Sequence, residues 1–464
     1  MSAVMPPGGD PLGLEPGEMR RLAHWVADRV VDHFEHGAGG PAIRVSSPEA
    51  LRSALGGPVP EEPGDALEAM QTLVDVVLAN MQHGDHPRYF ARIPSPASFA
   101  GVLGDWLGTG FNAIASSWAG GSGPAAAELV VLDWLRALLG LPEGTEGILV
   151  SGGSHANLMA LIVARHADGP GVAYLSDQTH ASIARGLVAS GFAPGAIRIL
   201  ASDAELRLAP GAVAAAVAAD RAGGRRPGFV VATAGTTNSG AVDPLRALGE
   251  LCEREGLWLH VDGAYGAPAA LCAAGRTALD GLERADSLAV DPHKWLFAPY
   301  DLGCLLVRRP GALARAFTMT PEYLADATGD GGEVDLRDRT LELTRRARAL
   351  KLWLAFRVYG AGRMRTAVAR GIELAGYAEQ RLRADDRWEV VTPAQLGIVT
   401  FARRGVSATA HAERAAALAA DGYAAVTSTT LRGRSVLRLC TINPLTTEHD
   451  IDTTLERLAE SPVR

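Results

Sequence analysis

Between Gly147 and Arg309 short apolar runs recur, most of them ending in polar or glycine residues and followed by a helical pattern. They are "GILVSGG", "VAYLSDQTH", "AIRILASD", "GFVVATAGTT", "LWLHVDGAY", "SLAVDPHK" and "GCLLVRR". Continuous apolar runs separated by helices predict a mostly parallel sheet covered on both faces. Upstream, "EPGEMRRLAHWVADRVVDHFEH" repeats Met19, Leu22, Val26, Val30 and Phe34 at helical spacing, and shorter helical patterns follow around Pro48–Leu55 and Ala66–Met81. This opening is too small to bury itself and is expected to pack on a larger body or a second subunit. Downstream of "TLELTRRARALKLWLAFRVYG" the chain stays helical for a stretch. The strand candidates "LGIVTFAR" and "SVLRLCTIN" then mix with the helical "AHAERAAALAADG" and "TEHDIDTTLERLAE". The expected organisation is a helical arm over residues 1–85, a large α/β domain over 86–355 and a small C-terminal α+β domain over 356–464.

Composition narrows the function classes. The chain has 464 residues, 47% of them hydrophobic, so a large core is available. A net charge of −8 without a long basic run argues against a nucleic-acid partner. The Arg-rich "AGGRRPG" (Ala222–Gly228) and "LTRRARALK" (Leu343–Lys351) are short and read as solvated faces, and "GAVAAAVAAD" as a plain surface helix. Cys252, Cys272, Cys304 and Cys440 form no CxxC pair, which fits reduced thiols better than disulfides or a zinc site; no metal site is expected. Neither a secretory signal nor an apolar run of membrane-spanning length, roughly 20 residues, is found. A cytoplasmic protein without membrane contact is expected.

In parallel sheets ligands bind beyond the carboxyl ends of the strands, and the polar residues collect there. "SGGSHANLMALIVARH" leads from a strand through Gly152, Gly153 and Ser154 into a helix. Two glycines admit an anion close to the backbone, and the helix start offers free N–H groups. An ordinary βα turn with a Ser or Asn cap reads the same way. Asp262 ends the run "LHVDGAY" and could serve as metal ligand, ribose binder or counter-ion; facing a pyridine nitrogen, it would keep that nitrogen protonated. His180 in "SDQTH" is either structural or a stacking imidazole able to act as acid or base. Lys294 stands in "VDPHKWLFAPYDLG" beside His293, among Val, Pro, Trp, Leu and Phe, where an ammonium needs a partner or a covalent role. Phosphate cradle, imidazole, aspartate and lysine together suit pyridoxal 5′-phosphate.

The chain resembles the pyridoxal-phosphate-dependent decarboxylases of the aromatic-L-amino-acid and glutamate decarboxylase group. The likeness runs from about Glu15 to the C-terminus. It is carried by "HPRYFARIPSPASF", "SSWAGGSGPAAAELVVLDWLRALLGLP", "SGGSHANLMAL", "SDQTHASIARG", "ATAGTTNSGAVDPL", "WLHVDGAYG", "DPHKW" and "RRARALKLW". It implies a fold-type I, aspartate-aminotransferase-like large domain with a seven-stranded sheet, and a homodimer with composite active sites. It implies that Lys294 forms the Schiff base and that His180 stacks on the ring near the substrate carboxylate. Asp262 would pair with the ring nitrogen above Ala264, and Gly153, Ser154, Thr237 and His293 would help hold the cofactor. Asp291 stands where many relatives carry Asn. Ser95 matches a substrate-pocket position, and "GFNAIASSW" a segment that reaches toward the partner's pocket. The implied reaction is decarboxylation of an L-amino acid, aromatic first and polar or acidic next.

Two departures qualify that expectation. Counting back from "RRARALKLW" puts Leu336 where the family's mobile loop carries a proton-donating tyrosine, and no tyrosine occurs between Leu324 and Thr340. Relatives that lack this tyrosine can oxidatively deaminate their substrate to an aldehyde. The glycines Gly329, Gly331 and Gly332 are consistent with a loop that closes on substrate. Arg92 and Ser116 replace rings of aromatic-substrate relatives, Arg92 either gripping a polar tail or pairing at the dimer interface. Another fold-type I enzyme such as an aminotransferase, or a non-enzymatic cofactor-binding protein, remains as a competing class.

Overall fold

The apolar runs become strands in the computed structural model, which describes residue 10 and residues 12–319 and 333–460. β1 (Glu146–Val150), β2 (Val172–Ser176), β3 (Ile197–Leu200), β4 (Pro227–Thr233), β5 (Trp258–Asp262), β6 (Ser287–Val290) and β7 (Gly303–Val307) form one sheet in the order β1-β7-β6-β5-β4-β2-β3. All neighbours are parallel except β7, which runs antiparallel to both β6 and β1. The carboxyl ends of the other six strands therefore open on one edge.

Side chains alternate across this sheet as the pleat demands. Ile148, Val150, Ala173, Leu175, Phe229, Val231 and Trp258 join a core beneath the helices Gly153–Asp168 and Ala181–Ala189. Leu149, Tyr174, Val230, Ala232, Leu259 and Val261 join the larger core on the opposite face. Both faces are covered, as the unbroken apolar runs predict. The "GAVAAAVAAD" segment lies in the helix Pro210–Ala222, which is amphipathic: Val213 and Val217 are buried, and buried Asp220 accepts from Tyr174 Oη and Arg198.

A 35-residue helix, Ala349–Arg383, interrupted at Gly360 (φ 71°), leads from this body to a second sheet. That sheet is antiparallel, in the order β10-β11-β9-β8, with β8 (Trp388–Gln395), β9 (Ile398–Arg403), β10 (Thr427–Leu431) and β11 (Arg434–Cys440). The helices Ala408–Ala420 and Glu448–Glu460 complete it. At the other end of the chain the helix Pro16–His36 buries none of its residues.

The Arg-rich "LTRRARALK" corrects the sequence expectation. Arg345 and Lys351 are 1% and 0% exposed, and Arg348 is also buried. Arg345 donates to Glu128 Oε1, Leu149 O and Ala115 O, each at 2.7 Å, and so ties the helix Trp118–Leu138 to β1. Lys351 donates to the carbonyls of Pro299, Tyr300 and Asp301 at 3.4, 2.9 and 3.1 Å, which clamps the turn that follows Lys294. Removing one member of a buried pair strands the other's charge. Arg345→Met is expected to cost about 3–5 kcal/mol of stability, read by denaturant unfolding. An unchanged midpoint would show that Glu128 finds another partner.

Candidate active site

A cavity of about 380 Å³ opens where the strand ends converge. It is lined by Gly153, Ser154, His180, Thr237, Asp262, Ala264, Asp291, His293 and Lys294, drawn from the ends of β1, β2, β4, β5 and β6. Residues as far apart in sequence as Ser151 and Lys294 thus share one pocket.

Lys294 sits in the helical turn Pro292–Trp295 directly after β6, with its Nζ 2.8 Å from Asp291 Oδ2. Burial pulls the ammonium's pKa down, but the charge and hydrogen bond of Asp291 outweigh it and the net shift is upward. The apolar surroundings noticed in the sequence therefore hold a paired cation. His293 Nδ1 accepts from the Leu302 N–H at 3.3 Å, and burial lowers its pKa. Its ring lies 4.7 Å from that of Tyr300.

Asp262, the last residue of β5, is 5% exposed. Its Oδ1 accepts from the Ala264 N–H at 3.2 Å and its Oδ2 from Asn157 Nδ2 at 3.0 Å. His180 caps the helix Ala181–Ala189 and faces the cavity, its Nδ1 2.8 Å from Ser182 Oγ. The helix Gly153–Asp168 points its first turn at the same space. A methyl group on Gly153 would lie 2.8 Å from Asp291 Oδ2 and 2.9 Å from Ala264 Cβ, so only glycine leaves that approach open.

The residues fit pyridoxal phosphate. A helix start with a glycine-lined approach suits a phosphate, and a buried carboxylate and an exposed imidazole share the cavity with a half-buried amine. Thr233 Oγ1 and Asp291 Oδ1, both buried, have no hydrogen-bond partner among the described residues, and both residues line the cavity.

Other expected site residues lie elsewhere. Ser95, Arg92 and Ser116 do not line the cavity. Ser95 accepts from Tyr300 Oη at 2.6 Å, and Arg92 is exposed and donates to Gln82 Oε1 at 3.0 Å. Ser116 is buried, its Oγ accepting from the Arg345 N–H at 2.9 Å. Leu336, at the position where the resemblance places the loop tyrosine, is fully buried among apolar residues in the turn Leu336–Arg339 and does not line the cavity. Gly329, Gly331, Gly332 and Tyr323 lie outside the described residues. Sequence reasoning missed His155, Asn157, Ser182, Thr233, Gly235 and Tyr265, which also line the cavity. Asn157 carried a readable signal, an amide on an otherwise apolar helix face.

Fold and site define an enzyme built to bind pyridoxal phosphate at the ends of a parallel sheet. Residues 48–404 match the pyridoxal-dependent decarboxylase conserved domain. The chain belongs to the pyridoxal-dependent decarboxylase family. It is 42% identical over 453 residues to an aromatic-L-amino-acid decarboxylase of Bacillus atrophaeus, covering 95% of this chain and 94% of that one. The crystal structure of Oryza sativa TDC with PLP and tryptamine superposes with a TM-score of 0.91 at 32% identity, over 96% of this chain and 97% of that one. The 4-hydroxyphenylacetaldehyde synthase of Rhodiola rosea superposes at 0.89 with 27% identity, over 97% and 98%. The large domain is thus of fold-type I, the sequence expectation borne out. Among the described residues no helix is long and apolar enough to cross a membrane.

Proposed function

We propose that the chain removes the α-carboxylate of an aromatic L-amino acid as CO₂ and releases the amine. The observation that carries this is the meeting of Lys294, Asp262 and His180 in one cavity, in a chain whose relative of 42% identity is an aromatic-L-amino-acid decarboxylase. When bound, pyridoxal phosphate supplies an electron sink for the pair left as the carboxylate departs. Lys294 would hold it covalently, and Asp262 would face its ring nitrogen above Ala264. The helix start at Gly153 and Ser154, with Thr237, would take the phosphate. Asp291 keeps the Lys294 amine in place, and His293 closes the pocket floor beside it. His180 would lie flat against the ring and orient the carboxylate. Ser95, held by Tyr300, would form part of the substrate wall, together with Arg92 and Ser116.

Two copies complete the site in this reading. Met19, Val26 and Phe34 on the helix Pro16–His36 are 48%, 38% and 40% exposed, and Phe111 in "GFNAIASSW" is 84% exposed. Between that helix and the segment Met70–Met81 lies an apolar groove of about 590 Å³. These surfaces cover one another in a homodimer. Val26→Asp with Phe34→Asp is expected to halve the sedimenting mass and remove activity; a dimer that persists would place the interface elsewhere. A cytoplasmic setting is supported by the four cysteines, all free and buried.

An aldehyde synthase shares this fold, so the product must be measured. With pyridoxal phosphate and a panel of aromatic, acidic and basic L-amino acids, amine and CO₂ without oxygen uptake are expected. Aldehyde, ammonia and peroxide with matching oxygen loss would overturn the amine product. Tyr323 is the tyrosine nearest in sequence to the segment Leu324–Thr340, which has none. If it protonates the α-carbon, Tyr323→Phe shifts product from amine toward aldehyde.

A further inference from the structure

A series of hydrogen bonds links Asp262 and His180 to buried residues that the reaction described above does not use. Trp258 Nε1 donates to Ser287 Oγ at 2.8 Å, and Ser287 Oγ lies 2.9 Å from His260 Nδ1. His260 Nε2 lies 3.0 Å from Asn157 Oδ1. Asn157 Nδ2 then donates twice, to Asp262 Oδ2 and to Ser182 Oγ, both at 3.0 Å. Ser182 Oγ lies 2.8 Å from His180 Nδ1, which also accepts from the Ser182 N–H at 3.3 Å. Asn157, His260 and Ser287 are 1%, 0% and 1% exposed, so none of these groups has water as an alternative partner.

The chemistry of the groups fixes the direction of each bond. An amide nitrogen only donates and an amide oxygen only accepts. His260 must therefore carry its proton on Nε2, toward Asn157 Oδ1, and accept at Nδ1 from the Ser287 hydroxyl, whose oxygen is already taken by Trp258. Burial pushes His260 down to about 4, so it is neutral at physiological pH and this tautomer persists. Asn157 in turn has no freedom to flip, because its oxygen would then face Asp262. At the far end Ser182 Oγ accepts from Asn157, so its own proton goes to His180 Nδ1. His180 Nδ1 is thereby engaged by Ser182, and Nε2 is the ring nitrogen left to carry a proton.

We propose that Asn157 is a positioning residue whose single amide holds Asp262 and His180 in register, with His260 and Ser287 locking the amide and Ser182 setting the His180 tautomer. The inference rests on the reading that Asp262 faces the cofactor's ring nitrogen and His180 its face. Such outer contacts commonly matter about 10–100-fold at other bound groups, because they orient the residues that touch the ligand.

The test compares holoenzyme and apoprotein of Asn157→Leu, Ser182→Ala and Asp262→Ala with wild type. Cofactor affinity is read by titrating apoprotein with pyridoxal phosphate, together with the absorption band of the bound cofactor and kcat and KM on the best amino acid of the panel. Asn157→Leu, nearly the same size but without polar atoms, is expected to weaken cofactor binding about tenfold or more and to shift the band. Ser182→Ala cuts only the His180 branch. It is expected to lower kcat about tenfold while cofactor affinity, band and KM stay within about twofold. If Asn157→Leu does not fold, Asn157→Ser reads the same effects in the same direction. Wild-type affinity and band in the Asn157 variant overturn the proposal, as does a Ser182→Ala variant with unchanged kcat. Asp262→Ala separates the two levels: if it too leaves affinity and band unchanged, the Asp262 reading fails; if it changes both while Asn157→Leu changes neither, only the coupling fails.

Discussion

Lys294→Ala is expected to lower turnover by at least about 10³-fold, the scale on which a nucleophile or positioned base is missed. Lys294 is the one primary amine among the residues lining the cavity, and its Nζ lies 2.8 Å from Asp291 Oδ2. No neighbour can replace it, since His155, His180 and His293 offer imidazoles and the other lining residues carry no basic nitrogen. The substitution also strands Asp291, which is 2% exposed and whose Oδ1 already lacks a partner. The apoprotein should therefore lose stability as well, by about 3 kcal/mol on the scale of a broken buried pair. Lys294→Arg separates these effects. The guanidinium keeps the charge opposite Asp291 but cannot serve as the amine nucleophile, so stability should return while turnover does not. Wild-type rates in either variant would sink the assignment of Lys294.

The sheet was readable because its strands other than the edge strand β3 are buried on both faces and so appear as unbroken apolar runs; all seven runs form strands of the one sheet. The cavity was readable because strand-end residues of unusual chemistry stand out against those runs, as Asp262 does after "LHV" and Lys294 after "DPH". What stayed hidden depends on partners distant in sequence. Arg345 looks like any arginine of a charge run until the fold brings Glu128, 217 residues away, to 2.7 Å. β10 reads "TSTTL" and alternates partly exposed polar residues, so no apolar period marks it. The burial of Leu336 in the turn Leu336–Arg339 was hidden too, because it depends on contacts with apolar residues distant in sequence.

Asp262→Ala is expected to lower kcat/KM about 100-fold or more, about 2.7 kcal/mol of transition-state stabilisation, and to weaken cofactor binding in parallel. The carboxylate is buried at the end of β5, and the hydrogen bonds from Ala264 N–H and Asn157 Nδ2 hold both its oxygens. A negative charge fixed there favours a protonated ring nitrogen, and a protonated ring is the stronger electron sink. Loss of the charge therefore touches the ground state through affinity and the rate through the sink. Asp262→Asn retains the shape but not the charge, and should recover part of the affinity with little of the rate. In Asp262→Ala the Asn157 amide also loses an acceptor, a cost of about 1–3 kcal/mol to the fold. Measuring apoprotein unfolding beside kinetics keeps that contribution apart from catalysis. An Asp262→Ala variant with unchanged affinity and rate would remove this residue from the site, and with it the physical reason for placing the ring nitrogen at the end of β5.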